Sequence, residues 1–201
     1  MPTTGILSTV ILDPPTALLF GCAVALVSAR LIARHPETEL MRTGALGAAW
    51  GVLYGLSVGW FFFQRPDWML AYLKDAREIS LLPAYVIFLG VLAAFGAAGA
   101  LANAALLRRG LRGAAWALTA GALLTIAATF WLQSKQYVAV GTFEEFWAGR
   151  ARSLQLDAAM QRAMNVSGII STLSAVAIFI ARFLQARRLA PSGAADGRRA
   201  A

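Results

Sequence analysis

Between Thr43 and Phe63 the chain runs without a single charged side chain, and Gly47, Gly51, Gly55 and Gly59 recur through that run four residues apart. A stretch of about 20 uncharged, largely apolar residues has the length to cross a bilayer as a helix. At 3.6 residues per turn the four glycines fall on one stripe, where the backbone of a neighbouring helix can approach closely. A feature of this kind constrains assembly in a membrane. It carries no information about a reaction.

The rest of the composition agrees with a membrane class. Of 201 residues 59% are hydrophobic and 14% charged, whereas a soluble domain carries about 25% charge. The formal net charge is +8, but the basic residues are scattered between apolar runs and form no single face, so membrane sorting accounts for them better than nucleic-acid binding does. Lys74 and Lys135 are the only lysines in a chain rich in Arg, Ala and Gly, a composition typical of GC-rich bacterial genomes. Cys22 is the lone cysteine. It can form no intramolecular disulfide, and its place in an apolar run predicts a small buried hydrophobe.

Five segments have spanning length and apolarity: about 16–33, 43–63, 81–107, 113–132 and 166–184. The predicted fold is therefore all-α, an integral membrane bundle of five transmembrane helices over residues 1–189, followed by a disordered basic tail, 190–201. Pro14 and Pro15 mark the mouth of the first helix, and the last helix is free to begin as early as Leu154. A cleavable signal in the first span is disfavoured, because no Lys or Arg precedes the apolar run and Asp13 does.

Charge places the connections. Arg30, Arg34, Arg42, Arg108, Arg109, Arg112, Arg182, Arg187, Arg188, Arg198 and Arg199 flank the first and third connections and the carboxyl end, against Glu37, Glu39 and Asp196. Arginine in short loops is retained on the cytoplasmic side, which predicts a bacterial inner-membrane protein with its amino terminus outside and its carboxyl terminus inside. Further small-residue steps, Gly90-Ala94-Ala98-Ala102 and Gly113-Ala117-Gly121-Thr125-Thr129, are candidate packing seams within the chain or in a homo-oligomer.

The outer connections carry more than linking requires. Residues 66–78 read as a short interfacial helix with Trp68 and Tyr72. In 141–149, Thr142 and Glu145 make a capping box that starts a second helix bearing Phe143, Glu144 and Trp147. With Trp60 and Tyr137 these residues form an aromatic, mixed-charge outer face. The predicted function is an accessory or assembly subunit that docks a membrane or periplasmic protein there, with membrane lipid around it. Binding of a lipid or other apolar small molecule beneath the outer loops is the alternative, followed by an envelope lipid-modifying enzyme using Asp67, Asp75, Glu78, Glu144, Glu145 and Asp157, and last a transporter. No cofactor or metal is expected. The only histidine, His35, stands alone beside Pro36 at the opposite end, so neither a bis-histidine haem nor a serine–histidine pair at the outer face can be assembled.

Overall fold

In the computed structural model the described residues, 3–64, 81–137 and 158–188, are helical apart from short joints. The helices are α1 (Thr3–Val27), α2 (Ala29–Arg34), α3 (Pro36–Gln64), α4 (Leu81–Arg108), α5 (Arg112–Tyr137) and α6 (Ala158–Arg188). Residues 66–78, 141–153 and the tail 190–201 lie outside the described residues, and with them the two predicted loop helices and the predicted disorder.

Two stretches are long and apolar enough to cross a membrane: Tyr85–Arg108, with a mean hydropathy of 2.1, and Asn165–Arg188, with 1.8. The apolar part of α1, Asp13–Val27, is shorter. Helix α3 has the length, at 29 residues, or about 43 Å at 1.5 Å per residue, but its first turns hold Glu37, Glu39 and Arg42.

Several boundaries differ from the sequence reading. Helix α1 does not begin at its prolines; it carries both Pro14 and Pro15 inside. Near Ser28 the first rod breaks into α1 and α2, yet the ladder continues, since Ser28 N donates to Val24 O and Ile32 N to Ser28 O at 3.0 and 2.9 Å. Helix α3 begins at Pro36, ahead of the uncharged run 43–63, which lies wholly inside it. Proline is suited to the first helical turn, where its missing N–H would have no partner, and Glu37 and Glu39 then face the positive end of the helix dipole. Charge ended the apolar run without ending the helix. Among the glycines of the described residues, Gly110 alone, at φ 77°, takes the left-handed conformation, and it turns the chain between α4 and α5.

Helices α1, α3 and α4 form the centre of the bundle, with α5 lying chiefly on α1 and α6 on α3. The glycine stripe of α3 meets α4 at backbone distance: a Cβ on Gly47 would collide with the carbonyl of Gly96, one on Gly51 with the carbonyl of Leu92, and one on Gly59 with the Tyr85 ring. Helix α1 meets the same stretch of α4: Gly21 lies against Gly96 and Ala100, and Gly99 against the Leu18 carbonyl.

The stripe that α4 uses is Phe88, Leu92, Gly96, Ala100 and Ala104, all buried. The seam read from the sequence, Gly90, Ala94, Ala98 and Ala102, is exposed, with nothing near Gly90. The two stripes have the same period and are offset by two residues, about 200° around the helix, so only one can face the bundle. In α5 the buried positions among residues 112–129 are Ala115 and Ala122, while Gly121 and its seam companions Gly113, Ala117 and Thr125 face outward.

Candidate functional site

The polar chemistry of the described residues is concentrated inside the bundle. At the end where α2 meets α3, Arg182 of α6 reaches across to Glu39. One of its Nη atoms donates to Glu39 Oε2, its Nε donates to Ser28 Oγ at 2.9 Å, and the other Nη donates to Gln185 Oε1 at 3.0 Å. Arg42 occupies the second carboxylate oxygen, Oε1, at 3.0 Å. Burial opposes ionisation of Glu39, but the Arg182 and Arg42 guanidiniums outweigh it and hold its carboxyl below the ordinary value. An ionised, doubly paired carboxylate is a structural element and a poor general base.

A second node lies near the carboxyl end of α4. Asn103 is fully buried, and its Nδ2 donates to Cys22 O at 3.0 Å and to Thr119 Oγ1 at 2.9 Å, tying α4 to α1 and α5. Its Oδ1 is buried without a hydrogen-bond partner. Cys22 is itself buried, its thiol donating to the Gly99 carbonyl at 3.6 Å. A third contact joins α1 to α3, where the Tyr54 hydroxyl donates to Asp13 Oδ1 at 2.5 Å and Asp13 is 4% exposed. Between the nodes, Trp50 stacks on Phe20 with centroids 4.0 Å apart and on Tyr54 at 5.1 Å, while its indole Nε1 donates to Ser171 O at 3.3 Å. That bond ties α3 to α6.

Beside the Arg182 network, a cleft of about 840 Å³ opens between α5 and α6 against α1 and α2. Its walls include Leu26, Val27, Leu107 and Phe183, and its rim carries Arg30, Arg34, Arg112 and Arg187. Among the described residues no carboxylate lines it. The Arg187 guanidinium lies over the Phe183 ring at 5.5 Å. Trp116, 63% exposed, stands one turn from Arg112 on the same helix.

Of the residues singled out from the sequence, Gly47, Gly51, Gly55 and Gly59 are brought against α4, whereas Gly90, Ala94 and Gly121 face outward. Trp60 and Tyr137 sit in the terminal turns of α3 and α5, with only their backbone described. Trp68, Tyr72, Phe143, Glu144, Glu145 and Trp147, like the carboxylates Asp67, Asp75, Glu78 and Asp157, lie outside the described residues. His35 is exposed between α2 and α3. Sequence reasoning missed Glu39, Arg182, Ser28 and Asp13 as interior residues. Among the described residues, no three of His, Cys, Asp and Glu group as a metal site.

No known protein family matches the chain, and neither a curated protein nor a solved structure does.

Proposed function

We propose that the chain is a multi-span protein of a bacterial inner membrane that serves as a non-catalytic subunit, docking a membrane or periplasmic partner through its aromatic outer connections. In this reading all five long helices cross the bilayer, with the amino terminus outside and the carboxyl terminus inside. The observation that carries the membrane placement is the lateral surface. Leu82, Val86, Ile87 and Val91 on α4 and Ile169, Ile170, Leu173, Val176 and Ile180 on α6 are all exposed, an apolar area that water would not tolerate and lipid accepts without cost.

The subunit reading rests on where the reactive groups go. The buried acids have structural partners: Glu39 holds Arg42 and Arg182, and Asp13 accepts from Tyr54. Exposed Glu37 pairs with Arg108 at 2.6 Å. None of the three is left poised beside a cavity. The aromatic density of residues 66–78 and 141–149 supplies a surface for a protein partner.

Alkaline extraction of membranes from cells making the full chain, followed by mild detergent purification, tests both parts. The chain is expected to stay with the membrane and to bring down one partner in fixed ratio. Release into the soluble fraction would overturn the membrane placement, and a lone monodisperse monomer would overturn the subunit role.

A further inference from the structure

We infer that Asp13 and the main-chain carbonyls of α1 beside it hold a sodium ion in the middle of the bundle. The inference rests on the membrane placement proposed above and is independent of what docks at the outer connections.

The first observation is depth. Tyr54, whose hydroxyl donates to Asp13 Oδ1 at 2.5 Å, stands halfway along the uncharged run 43–63 of α3. Asp13 itself lies 10 residues after Thr3 and 14 before Val27, the two ends of α1, or about 15 and 21 Å at 1.5 Å per residue. The carboxyl group is therefore close to mid-bilayer, where an ionisable side chain is costly and marks an ion or substrate path. The sequence reading, which starts the first span at residue 16, leaves this acid outside it.

The second observation is the pair of prolines. Pro14 and Pro15 lie inside α1 and have no N–H to give to the carbonyls of Val10 and Ile11, four residues earlier. In ion-coupled membrane proteins, interrupted helices of this kind present their carbonyls to sodium. Val10 is three residues before Asp13, and a helical side chain leans toward the amino end, so the carboxyl group and the released carbonyls share one turn of α1. A buried acid alone has a structural reading, and so does a proline inside a helix. On one turn they supply a negative charge and neutral oxygens together.

The chemistry of the turn selects the ion. A carboxylate offers about four acceptor positions, so it holds hydrogen-bond donors such as Tyr54 and a cation at once. Calcium calls for about six to eight oxygens, several of them from carboxylates. Glu39 stands 15 positions before Tyr54 on α3, about 22 Å along the helix, and among the described residues no three of His, Cys, Asp and Glu group together. One carboxylate with carbonyl oxygens suits a hard monovalent cation. At 4% exposure Asp13 is shielded from bulk water, which strengthens its attraction for an ion.

The test follows thermal unfolding of the full chain in neutral detergent as sodium chloride replaces choline chloride at constant ionic strength, which keeps charge screening equal. A tenfold excess of sodium over its dissociation constant should raise the melting temperature by about 3–6 °C in a chain of this length, along a single-site curve. Asp13→Asn keeps an acceptor for Tyr54 and removes the charge, so its melting temperature should not respond to sodium. Glu37→Gln, at an exposed acid of the arginine-rich end, should respond as the native chain does. Pro14→Ala with Pro15→Ala keeps the carboxylate and returns N–H groups to the two carbonyls; equilibrium binding of sodium-22 to this variant should be about tenfold weaker, a readout that does not depend on Asp13→Asn folding.

Equal melting temperatures of the native chain in sodium and choline would overturn the inference. So would a sodium response that persists in Asp13→Asn, or an unchanged sodium affinity in the proline variant. Failure of the membrane placement is read separately, by alkaline extraction.

Discussion

Arg182, near the end of α6, is ion-paired to Glu39, in the first turns of α3, with the two side chains 6% and 4% exposed. The pair closes the periphery of the bundle onto its centre, with both side chains almost wholly covered by protein. Removing one member leaves the other charge buried and unpaired, which costs on the order of 3–5 kcal/mol, whereas replacing both with apolar residues of similar size is often neutral. Arg182→Met and Glu39→Met are each expected to lower the melting temperature in detergent sharply, and the double variant to recover most of the loss. Additive losses in the double variant would show that the two side chains do not act as a pair.

The same pair predicts how stability depends on pH. The folded carboxyl of Glu39 titrates below its ordinary value of 4.5, so the native state binds its proton more weakly than the unfolded chain does. The resulting stabilisation is fully present above that ordinary value and is lost as the pH falls through the lower folded value. The melting temperature should therefore decline on acidification below pH 4.5, and the decline should be shallower in Glu39→Gln. An identical acid limb in the two proteins would place the titrating group elsewhere.

Glycine substitutions should separate by face. Alanine at Gly47, Gly51 or Gly96 would push a Cβ into the main chain of the facing helix, and main chain cannot swing aside as a side chain can. Each is expected to cost about 1–3 kcal/mol, the usual penalty of overpacking. Alanine at Gly90 or Gly121 meets nothing within 4 Å and should be neutral or stabilising by a few tenths of a kcal/mol, because alanine is the better helix former. Melting temperatures of the five variants in one detergent decide the matter; comparable losses at Gly90 and Gly47 would contradict the assignment of faces.

These residues also mark how far the sequence could be read. The glycines of α3 were legible because their spacing alone defines a stripe. The facing stripe on α4 was not, since Gly90-Ala94-Ala98-Ala102 and Phe88-Leu92-Gly96-Ala100-Ala104 share one period and only tertiary packing chooses between them. Glu39 and Arg182 were read as charges flanking membrane spans, and composition gives no means of seeing a bond between positions 143 apart. The early start of α3 did leave a signal, Pro36 followed by two acids in the first turn, which a search for apolar runs of spanning length does not read. Arg30, Arg34, Arg112 and Arg187 entered the sequence reading as orientation signals, and their gathering on one cleft depends on the helix order in space.

Asn103 holds α4 to α1 and α5 through two donated hydrogen bonds. Interhelical bonds of this type average about 0.6 kcal/mol within membranes, because a chain unfolded in lipid finds other partners. Its acceptor oxygen is already unpaired, so an apolar replacement relieves one defect as it removes two bonds. Asn103→Leu is therefore expected to shift the melting temperature by far less than Arg182→Met, although both residues are buried and polar. A larger loss at Asn103 would indicate that its oxygen has a partner of its own.

The orientation can be read with one chemical probe because Cys22 is the only cysteine and is buried. In the folded native chain it should resist a membrane-impermeant maleimide, so single cysteines can be introduced without first removing it. Arg109→Cys, in the turn between α4 and α5, should label only after the membrane is opened, since arginine-rich short loops stay on the cytoplasmic side. Trp68→Cys and Trp147→Cys, in the two connections assigned to the outside, should label in intact cells. The two outer positions must behave alike, because a shared docking face requires residues 66–78 and 141–153 in one compartment. Labelling of Trp68→Cys without Trp147→Cys would remove that face even if the helices and their packing were right, and labelling of Arg109→Cys in intact cells would invert the bundle and move the arginine-rimmed cleft to the opposite leaflet.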